Sequence, residues 1–508
     1  MTTETTRATT PVAERHGRPV IAWRPVLVLA GVVAVVLGVT SAWYGYFGDE
    51  YYFLAAGARP ALGYADQPPL LPLLARGLDA LVPGSLVVLR LPATLLTAGS
   101  VVIAAATAAE LGGRRRAQLL AAAATAVCPY LLSTGHLLAT STVDPFLWAL
   151  LLLLVVRWIR REGGGDGRPG HDRLLLGVGV VTAVALADKV LIPVLLAGLG
   201  VGVLTAGPRR MLRRPLLWAG LVLAALSTVP TVLWQGAHGW PQLAMGSVVS
   251  GEVGLFGDRW QFLPRAVYYG GLGSGAVLLL VGAWALLRLE ALRRWRCVGI
   301  AALAVTVVLL AAGGRPYYLS GLSVVWFAAG AVAVEAGVLR PRWRWTVSPA
   351  AFAVTALVTA VYVLPLGPAA WRAPVDFEVM GQVGWDGFAD AVAERYASLP
   401  PDERSRTAVV AFSYWYASGL EREGPRRGLP STIYSSHRGF GYFDPPPGSA
   451  TVLLVGAPPW VQRFCARLVP LPEYRDATGN GVFRHVPMGL CTPSAPWAQA
   501  WPTLRNLA

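Results

Sequence analysis

Long apolar runs separated by short, arginine-bearing loops occupy most of the first 366 residues. A helix needs about 20 apolar residues to cross the hydrocarbon core of a bilayer, and most of these runs approach that length. They predict about eleven membrane-spanning helices, at roughly residues 25–44, 86–108, 117–136, 144–159, 174–188, 190–206, 215–235, 266–287, 297–312, 317–338 and 346–366. We divide the run 174–206 at Asp188 and Lys189, because two charges in mid-membrane would be costly.

The final segment, residues 367–508, mixes apolar and polar residues at the density of a soluble domain. Helical spacing of its apolar residues predicts helices at Trp385–Leu399 and Pro459–Leu468. Short apolar runs predict strands at Thr407–Tyr414, Ala450–Gly456 and Gly481–Val486. The predicted fold class is therefore an all-α polytopic membrane protein with a small C-terminal α/β domain.

Composition agrees with a membrane protein, because 55% of the residues are hydrophobic and 14% are charged, against about 25% charged residues in soluble domains. The first apolar run, Pro25–Tyr44, is long enough to span a bilayer and lacks a small-residue cleavage site, so we expect no cleaved signal peptide. The net charge of +15 does not indicate nucleic-acid binding, since the arginines form short clusters between apolar runs. Such clusters orient membrane helices instead.

The arginines are concentrated in alternate loops, which gives the topology a direction. The positive-inside rule assigns the arginine-rich loops to the cytoplasm, near residues 7–24, 114–116, 157–173, 209–214, 288–296 and 340–344. We therefore predict a bacterial inner-membrane protein with a cytoplasmic tail (1–24), a transmembrane domain (25–366) and an extracytoplasmic domain (367–508). The outer loops are then 44–85, 132–143 and 236–265, and residues 162–171 form a flexible inner loop.

The four cysteines form no CxxC pair and no metal-binding spacing. Cys465 and Cys491 both belong to the predicted outer domain, where an oxidising compartment permits a disulfide. Two free thiols agree equally well with the sequence, so both states remain open.

Acidic residues mark the first outer loop. Asp49 and Glu50 follow the first predicted span among aromatic residues, and Asp66 stands in a Gly-Tyr-x-Asp-x-Pro-Pro turn. The turn residues return Asp66 to the membrane surface on the side of Asp49. A structural interpretation is that Asp49 caps a short interfacial helix whose tyrosines form an aromatic belt. The second acid in the turn favours a functional interpretation.

Further charges lie at the outer ends of the spans. Asp144 precedes Pro145, a pair typical of a helix N-cap. Arg90, near the start of a span, either meets an anionic partner or snorkels to the headgroups. Lys189 has the same two interpretations, or it forms an ion pair with Asp188.

Two remaining outer loops carry His238 and the segment Arg315-Pro316-Tyr317-Tyr318. A lone histidine is either a metal ligand or a residue that hydrogen-bonds within its loop. An arginine followed by tyrosines is also typical of an interfacial anchor. By a topology that rests mainly on other loops, one face of the membrane nevertheless carries Asp49, Glu50, Asp66, Asp144, Lys189, His238 and Arg315.

In their order along the chain, these motifs resemble those of the GT-C membrane glycosyltransferases, in the branch of the protein O-mannosyltransferases and lipid A aminoarabinose transferases. The resemblance covers about residues 25–370, and the ordered set is more specific than any single motif. It rests on Asp49-Glu50-x-Tyr52, Gly63-Tyr64-x-Asp66-x-Pro68-Pro69-Leu70, Arg90, Asp144-Pro145, Lys189, Trp234-Gln-x-x-His238-Gly-Trp240-Pro241 and Gly314-Arg315-Pro316-Tyr317-Tyr318.

The resemblance implies an inverting transfer of a hexose or pentose from a polyprenyl-phosphate carrier to a hydroxyl acceptor at the outer membrane face. Asp49 matches the catalytic base of the first outer loop, and the neighbouring Glu50 joins it in the predicted catalytic pair. A carboxylate is suited to this role because it aligns the acceptor hydroxyl and takes its proton. Cations stabilise the charge that develops on the departing phosphate.

The same resemblance implies the substrate site. Arg90, Lys189 and Arg315 match basic positions that face the carrier phosphate, and Asp66 and Asp144 match acidic positions in the cavity. The remaining predicted substrate contacts are Tyr52, Tyr64, Gln67, Tyr317 and Tyr318. His238 stands where some relatives place a metal-contacting histidine, so a divalent metal held with Asp66 is a candidate cofactor.

One departure from the family concerns the acceptor. Aminoarabinose transferases carry a lysine where this chain has Gln67, which argues against a lipid A aminoarabinose substrate. Protein, lipid and polysaccharide acceptors remain open. Two other functions are compatible with the composition, namely a polyprenyl-lipid transporter or flippase and a non-catalytic relative. Transporters carry repeated halves and charges near the midplane, whereas here the charges lie at outer helix ends.

Overall fold

The computed structural model describes residues 19–163, 171–252, 258–372 and 377–507. Most of the predicted N-terminal tail and of the predicted inner loop 162–171 lies outside these residues. Helices dominate the described chain, and they are α1 (Trp23–Thr40), α2 (Gly48–Gly57), α3 (Leu70–Leu81), α4 (Leu86–Glu110), α5 (Arg115–Ala126), α6 (Pro129–Thr134), α7 (Thr140–Gly163), α8 (Arg173–Asp188), α9 (Ile192–Ala206), α10 (Pro215–Ala237), α11 (Pro241–Gly251), α12 (Phe262–Gly270), α13 (Ser274–Arg288), α14 (Arg296–Ala311), α15 (Ser320–Glu335), α16 (Pro349–Val363), α17 (Ala369–Arg372), α18 (Phe377–Met380), α19 (Trp385–Ala397), α20 (Pro401–Arg404), α21 (Tyr414–Glu423) and α22 (Trp497–Leu504).

Six helical segments of the described chain are long and apolar enough to cross a bilayer, or eight spans if each of two bent helix pairs counts as one. The predicted count of about eleven spans is therefore not confirmed. The six segments are α1, α4, α7, α10, Glu290–Ala311, which contains α14, and Pro316–Glu335, which contains α15. The bent pairs end in α13 and α16.

Helix breaks account for the difference. The predicted span 117–136 is divided into α5 and α6, because Pro129 in the first turn of α6 has no N–H with which to continue α5. The chain also breaks at Lys189, as predicted, which leaves α8 with 16 residues and α9 with 15. Both are short of a straight span. The bend of 116° before α13 includes Gly273, whose φ of +46° favours glycine.

Burial distinguishes the central helices from the lipid-facing ones. The most apolar window of Pro316–Glu335 is 89% buried, whereas that of α10 is 17% buried. The contact of α15 with α13 depends on small residues: a Cβ at Gly330 would lie 2.0 Å from the carbonyl oxygen of Leu278. A Cβ at Gly282 would lie 1.8 Å from the carbonyl oxygen of Trp326. Glycines allow membrane helices to approach this closely.

A four-stranded sheet forms in the C-terminal segment, with strands β1 (Ala408–Ala411), β2 (Val452–Val455), β3 (Cys465–Tyr474) and β4 (Val486–Pro493). The strand order is β1-β2-β4-β3. β1 pairs with β2 in parallel, and β4 is antiparallel to both β2 and β3. The central strand β2 is buried along its whole length, which is typical of a strand covered on both faces.

The structure confirms part of the C-terminal prediction and corrects two elements. The predicted helix Trp385–Leu399 is present as α19, and the first two predicted strands contain β1 and β2. The predicted helix Pro459–Leu468 is wrong, because this stretch is a 3-10 turn followed by the edge strand β3. Prolines are tolerated in an edge strand. The predicted strand Gly481–Val486 is also wrong, because β4 begins at its last residue.

Cys465 and Cys491 form a disulfide between β3 and β4, with their Cα atoms 5.4 Å apart. The disulfide therefore joins the edge strand to its neighbour in the sheet. Cys128 and Cys297 are buried free thiols. Of the two thiol states that the sequence left open, the structure has the disulfide.

We expect the double substitution Cys465→Ser/Cys491→Ser to destabilise the C-terminal domain by roughly 2–5 kcal/mol, because the disulfide restricts the unfolded chain. The measurement is the midpoint of thermal unfolding of purified protein, with and without a reductant. Reductant should lower the midpoint of wild type and leave that of the double variant unchanged. Alkylation of all four cysteines in denatured, unreduced wild type would contradict the disulfide.

Candidate functional site

A buried ion pair fixes the start of α2. The Glu50 carboxylate accepts hydrogen bonds from Nε and Nη2 of Arg90 at 2.8 and 2.6 Å. It also accepts the backbone N–H of Phe47 and that of Leu138, both at 2.9 Å. Both charged side chains are fully buried, and burying such charges is tolerable when each has this many partners.

Arg90 completes its contacts with backbone oxygens. Its guanidinium donates to the carbonyl of Ser41 and, at 2.9 Å, to the carbonyl of Gly45. Arg90 therefore does not snorkel to the headgroups, and its charge is matched by Glu50 inside the protein. These contacts are those of a residue pair that positions the chain, and the predicted phosphate contact of Arg90 and the predicted catalytic role of Glu50 stay predictions.

Asp49 lies one residue before Glu50, in the first turn of α2, while the N-cap position belongs to Phe47. Its Oδ1 accepts hydrogen bonds from the hydroxyl of Tyr414 at 2.8 Å and from Nε1 of Trp415 at 2.7 Å. Both hydrogen bonds that Asp49 accepts from side chains of the described residues end on Oδ1. The other oxygen, Oδ2, is thus available to a substrate hydroxyl.

Both donors to Asp49 belong to α21 of the C-terminal segment. The ring of Trp415 packs so closely on α2 that a Cβ at Gly48 would lie 2.2 Å from it. Further along the two helices, the hydroxyl of Tyr51 donates to Glu423 at 3.0 Å, and Arg59 forms an ion pair with Glu421. The C-terminal segment therefore forms part of the site.

Asp66 accepts a hydrogen bond from the hydroxyl of Tyr52 at 2.7 Å. Burial raises the pKa of the Asp66 carboxyl, and the neighbouring Arg438 guanidinium opposes that rise. Tyr52 belongs to α2, so this contact brings Asp66 to the same helix as Asp49. The predicted convergence of these two acids is thus present in the fold.

The other two predicted substrate contacts in this turn, Tyr64 and Gln67, are buried. The hydroxyl of Tyr64 donates to the carbonyl of Ala56 at 2.9 Å and accepts the N–H of Ala61 at 3.2 Å, so this side chain holds the loop. The side-chain nitrogen of Gln67 is buried and has no partner within the described residues. An unpartnered buried donor is costly, which marks Gln67 as a position where a ligand atom would be favourable.

A second cluster surrounds Lys189. Its ammonium group lies 4.2 Å from the ring centroid of Tyr318 and 5.7 Å from that of Tyr317. Asp144 and Asp188 both interact electrostatically with it. Asp144 is not a helix N-cap, because α7 begins four residues earlier, at Thr140.

The carboxylate of Glu252 joins the two clusters. It forms ion pairs with Arg315, and with Nη2 of Arg438 at 3.1 Å. Arg315 also donates to the hydroxyl of Tyr317 at 3.1 Å, next to Lys189. A continuous band of charged and aromatic side chains therefore extends from Asp49 to Lys189.

Sequence reasoning missed the C-terminal members of this band. Tyr414, Trp415, His437 and Arg438 are far from Asp49 along the chain, and the sequence carries no signal that α21 packs on α2. Burial lowers the pKa of His437 to about 3, with Arg438 acting in the same direction. The imidazole is therefore neutral near pH 7, and its Nδ1 accepts the N–H of Tyr414 at 3.2 Å.

His238 contacts Trp234, one turn earlier in the chain. Its ring stacks on Trp234 with centroids 3.9 Å apart, and its Nδ1 lies 2.7 Å from the Trp234 carbonyl oxygen. In the described part of the chain, no group of three or more His, Cys, Asp or Glu side chains could hold a metal ion. The predicted metal contacts of His238 and Asp66 stay a prediction.

We expect Glu50→Gln to destabilise the protein by about 3–5 kcal/mol, because it leaves the buried Arg90 charge unpaired. The measurement is the midpoint of thermal unfolding in detergent. Asp79→Asn is the matched control, since it removes a partly exposed pair with Arg422 and should cost about 1 kcal/mol or less. An unchanged midpoint for Glu50→Gln would show that the ion pair is not needed for the fold.

Comparison with protein families finds a match within the helical part of the chain. The family model of dolichyl-phosphate-mannose-protein mannosyltransferases matches residues 66–234, about a third of the chain. This match includes Asp66, Arg90, Asp144 and Lys189. No curated protein sequence matches the chain.

Two solved structures have a similar fold. The apo crystal structure of ArnT from Cupriavidus metallidurans aligns with 15% identity and a TM-score of 0.59, over 91% of this chain and 97% of that chain. ArnT bound to undecaprenyl phosphate aligns with 16% identity and a TM-score of 0.54, over the same shares. At this identity, the similarity concerns the fold. The family match and the shared fold together confirm the resemblance of this membrane protein to the GT-C glycosyltransferases.

Proposed function

We propose that the protein is an inverting glycosyltransferase that moves a sugar from a polyprenyl-phosphate carrier to a hydroxyl acceptor at the outer face of the membrane. The geometry of Asp49 carries this proposal. Its carboxylate is anchored through one oxygen by Tyr414 and Trp415. A carboxylate held in this way presents its second oxygen in a fixed direction, as a base must.

The reaction assigns each group a task. Asp49 takes the proton of the acceptor hydroxyl while the acceptor oxygen forms its bond to the anomeric carbon. The bond from that carbon to the carrier phosphate breaks on the opposite side, which inverts the centre. The phosphate gains negative charge as it leaves. In our proposal Lys189 and Arg315, which lie towards the end of the band away from Asp49, stabilise that charge.

Asp66 and Asp144 face the same band from two different segments. Asp66 is held by Tyr52 and lies near Arg438, and Asp144 lies near Lys189. In our proposal they bind hydroxyl groups of the sugar or the acceptor, since carboxylates accept such hydrogen bonds readily. Gln67, with its unpartnered buried amide nitrogen, is a donor for the same purpose.

Other observations support the polyprenyl-phosphate carrier and the proposed membrane location of the protein. The fold is shared with ArnT, whose second structure is bound to undecaprenyl phosphate, and exposed apolar helices such as α10 offer a lipid-facing surface for an isoprenoid tail. The disulfide in the C-terminal sheet suits an oxidising compartment. We therefore propose that residues 367–508 lie outside the cytoplasm of a bacterial inner membrane, and that residues 25–366 form the transmembrane catalytic domain.

We expect Asp49→Asn to lower sugar transfer by roughly 100- to 10,000-fold, because an amide cannot accept the proton. The substitution keeps the shape of the side chain, so folding should change little. The measurement is consumption of labelled polyprenyl-phosphate sugars by membranes that contain the wild type or the variant.

Asp444→Asn is the matched control, because Asp444 is an exposed carboxylate of the C-terminal segment. Its activity should equal that of wild type. Full activity of Asp49→Asn would refute the assignment of Asp49 as base. If the folded wild type consumed no donor from a panel of hexose and pentose phospholipids, the transferase proposal itself would fail.

A further inference from the structure

Arg438 has an unusual backbone conformation for its residue type. Its φ of +49° lies in the left-handed region, which is uncommon for a residue other than glycine and marks functional sites more often than others. A backbone hydrogen bond holds this conformation, since the N–H of Arg438 donates to the carbonyl of Asn506 at 2.8 Å. On its other side, a Cβ at Gly439 would lie 1.9 Å from the hydroxyl oxygen of Tyr52. The chain is thus fixed between its C-terminal end and α2.

This conformation directs the Arg438 side chain into the band of charged groups. The guanidinium lies 4.8 Å from the ring centroid of Tyr414, the residue that donates to Asp49. Its Nη2 is 3.1 Å from Glu252. Its Nε is buried and has no partner within the described residues, so one donor of the fork remains for a ligand.

The Glu252 carboxylate forms ion pairs with two arginines. One carboxylate oxygen contacts Arg438, and the other contacts Arg315. The Glu252 carboxylate is thus shared between two guanidinium groups, and the carboxylates of Asp49 and Asp66 also interact electrostatically with Arg438. Next to them, the Nδ1 of His437 accepts a backbone N–H, so the proton is on Nε2, which has no partner within the described residues.

A phosphate group matches this set of donors. Its oxygens are arranged, like those of a carboxylate, to accept parallel hydrogen bonds from arginine forks, and it carries more charge. We propose that Glu252 occupies the place of the carrier phosphate, and that Arg438 and Arg315 bind that phosphate together once the Glu252 carboxylate moves away. This inference rests on the proposed transferase function, and it assigns donor binding in part to the C-terminal segment.

The proposal also explains why Arg438 must reach the site from the C-terminal segment. As the bond between anomeric carbon and phosphate oxygen breaks, the electron pair stays on the phosphate, and the acceptor proton passes to Asp49. Arg438 interacts electrostatically with Asp49 and Asp66 and contacts Glu252, whose place the phosphate takes in this proposal, so the guanidinium would lie between the base and the leaving group. A cation in this position stabilises the phosphate as its charge increases.

The test measures binding of undecaprenyl phosphate and of uncharged undecaprenol to the full-length protein in nanodiscs. Arg438→Gln should weaken binding of undecaprenyl phosphate by roughly 10- to 100-fold, and it should leave binding of undecaprenol unchanged. Glu252→Gln removes the competing carboxylate, so it should strengthen binding of undecaprenyl phosphate by roughly three- to fivefold. Arg505→Gln is the matched control, because the Arg505 guanidinium packs on the ring of Tyr442 in the same segment, as Arg438 packs on Tyr414.

Each outcome decides between the proposals. Equal binding of undecaprenyl phosphate by wild type and Arg438→Gln would refute the role of Arg438 and leave the transferase proposal intact. Equal losses for both lipids would show that Arg438 supports the fold or the tail site, which also refutes it. If Arg438→Gln does not fold, Arg438→Lys and Glu252→Gln decide instead, and unchanged binding in both would overturn the inference. Wild type that binds neither lipid would overturn both proposals.

Discussion

The site depends on the buried ion pair between Glu50 and Arg90. Through Glu50, the pair holds the N–H groups of Phe47 and Leu138, and through Arg90 it holds the carbonyls of Ser41 and Gly45. Three separate stretches of chain, namely 41–50 and those around Arg90 and Leu138, are therefore joined at one point, next to the residue proposed as the base. Because unpaired charges in such a place are very costly, the start of α2 has one favourable arrangement.

With α2 fixed, its successive residues take different tasks. Glu50 points into the protein, whereas Asp49 meets the hydroxyl of Tyr414 and the indole of Trp415. Adjacent residues on a helix point about 100° apart, so two neighbouring carboxylates can serve structure and chemistry separately. Tyr52, further along the same helix, then holds Asp66. One short helix thus organises both Asp49 and Asp66.

The C-terminal segment is part of the same arrangement. Its helix α21 donates two hydrogen bonds to Asp49, and the strained segment at Arg438 reaches Glu252 and, through it, Arg315. Because Asp49 takes its hydrogen bonds from α21, the groups of the proposed site are oriented only when both parts of the chain are docked. Binding and chemistry would then depend on the contact between α2 and α21, in which Gly48 leaves space for Trp415.

Local patterns were sufficient to predict the membrane class, most helix positions, the break at Lys189 and the convergence of Asp49 with Asp66. These features follow from apolar run length, turn residues and charge, which act over short stretches of chain. Pairing in the C-terminal sheet was predicted less well, because an edge strand such as β3 is defined by its neighbour rather than by its own residues. The pairing of Glu50 with Arg90, and the presence of Tyr414, Trp415 and Arg438 beside Asp49, were decided by tertiary structure alone. The hydrogen bonds in these contacts join residues from 40 to 366 positions apart. They depend on packing, and a single sequence carries no periodic signal for them.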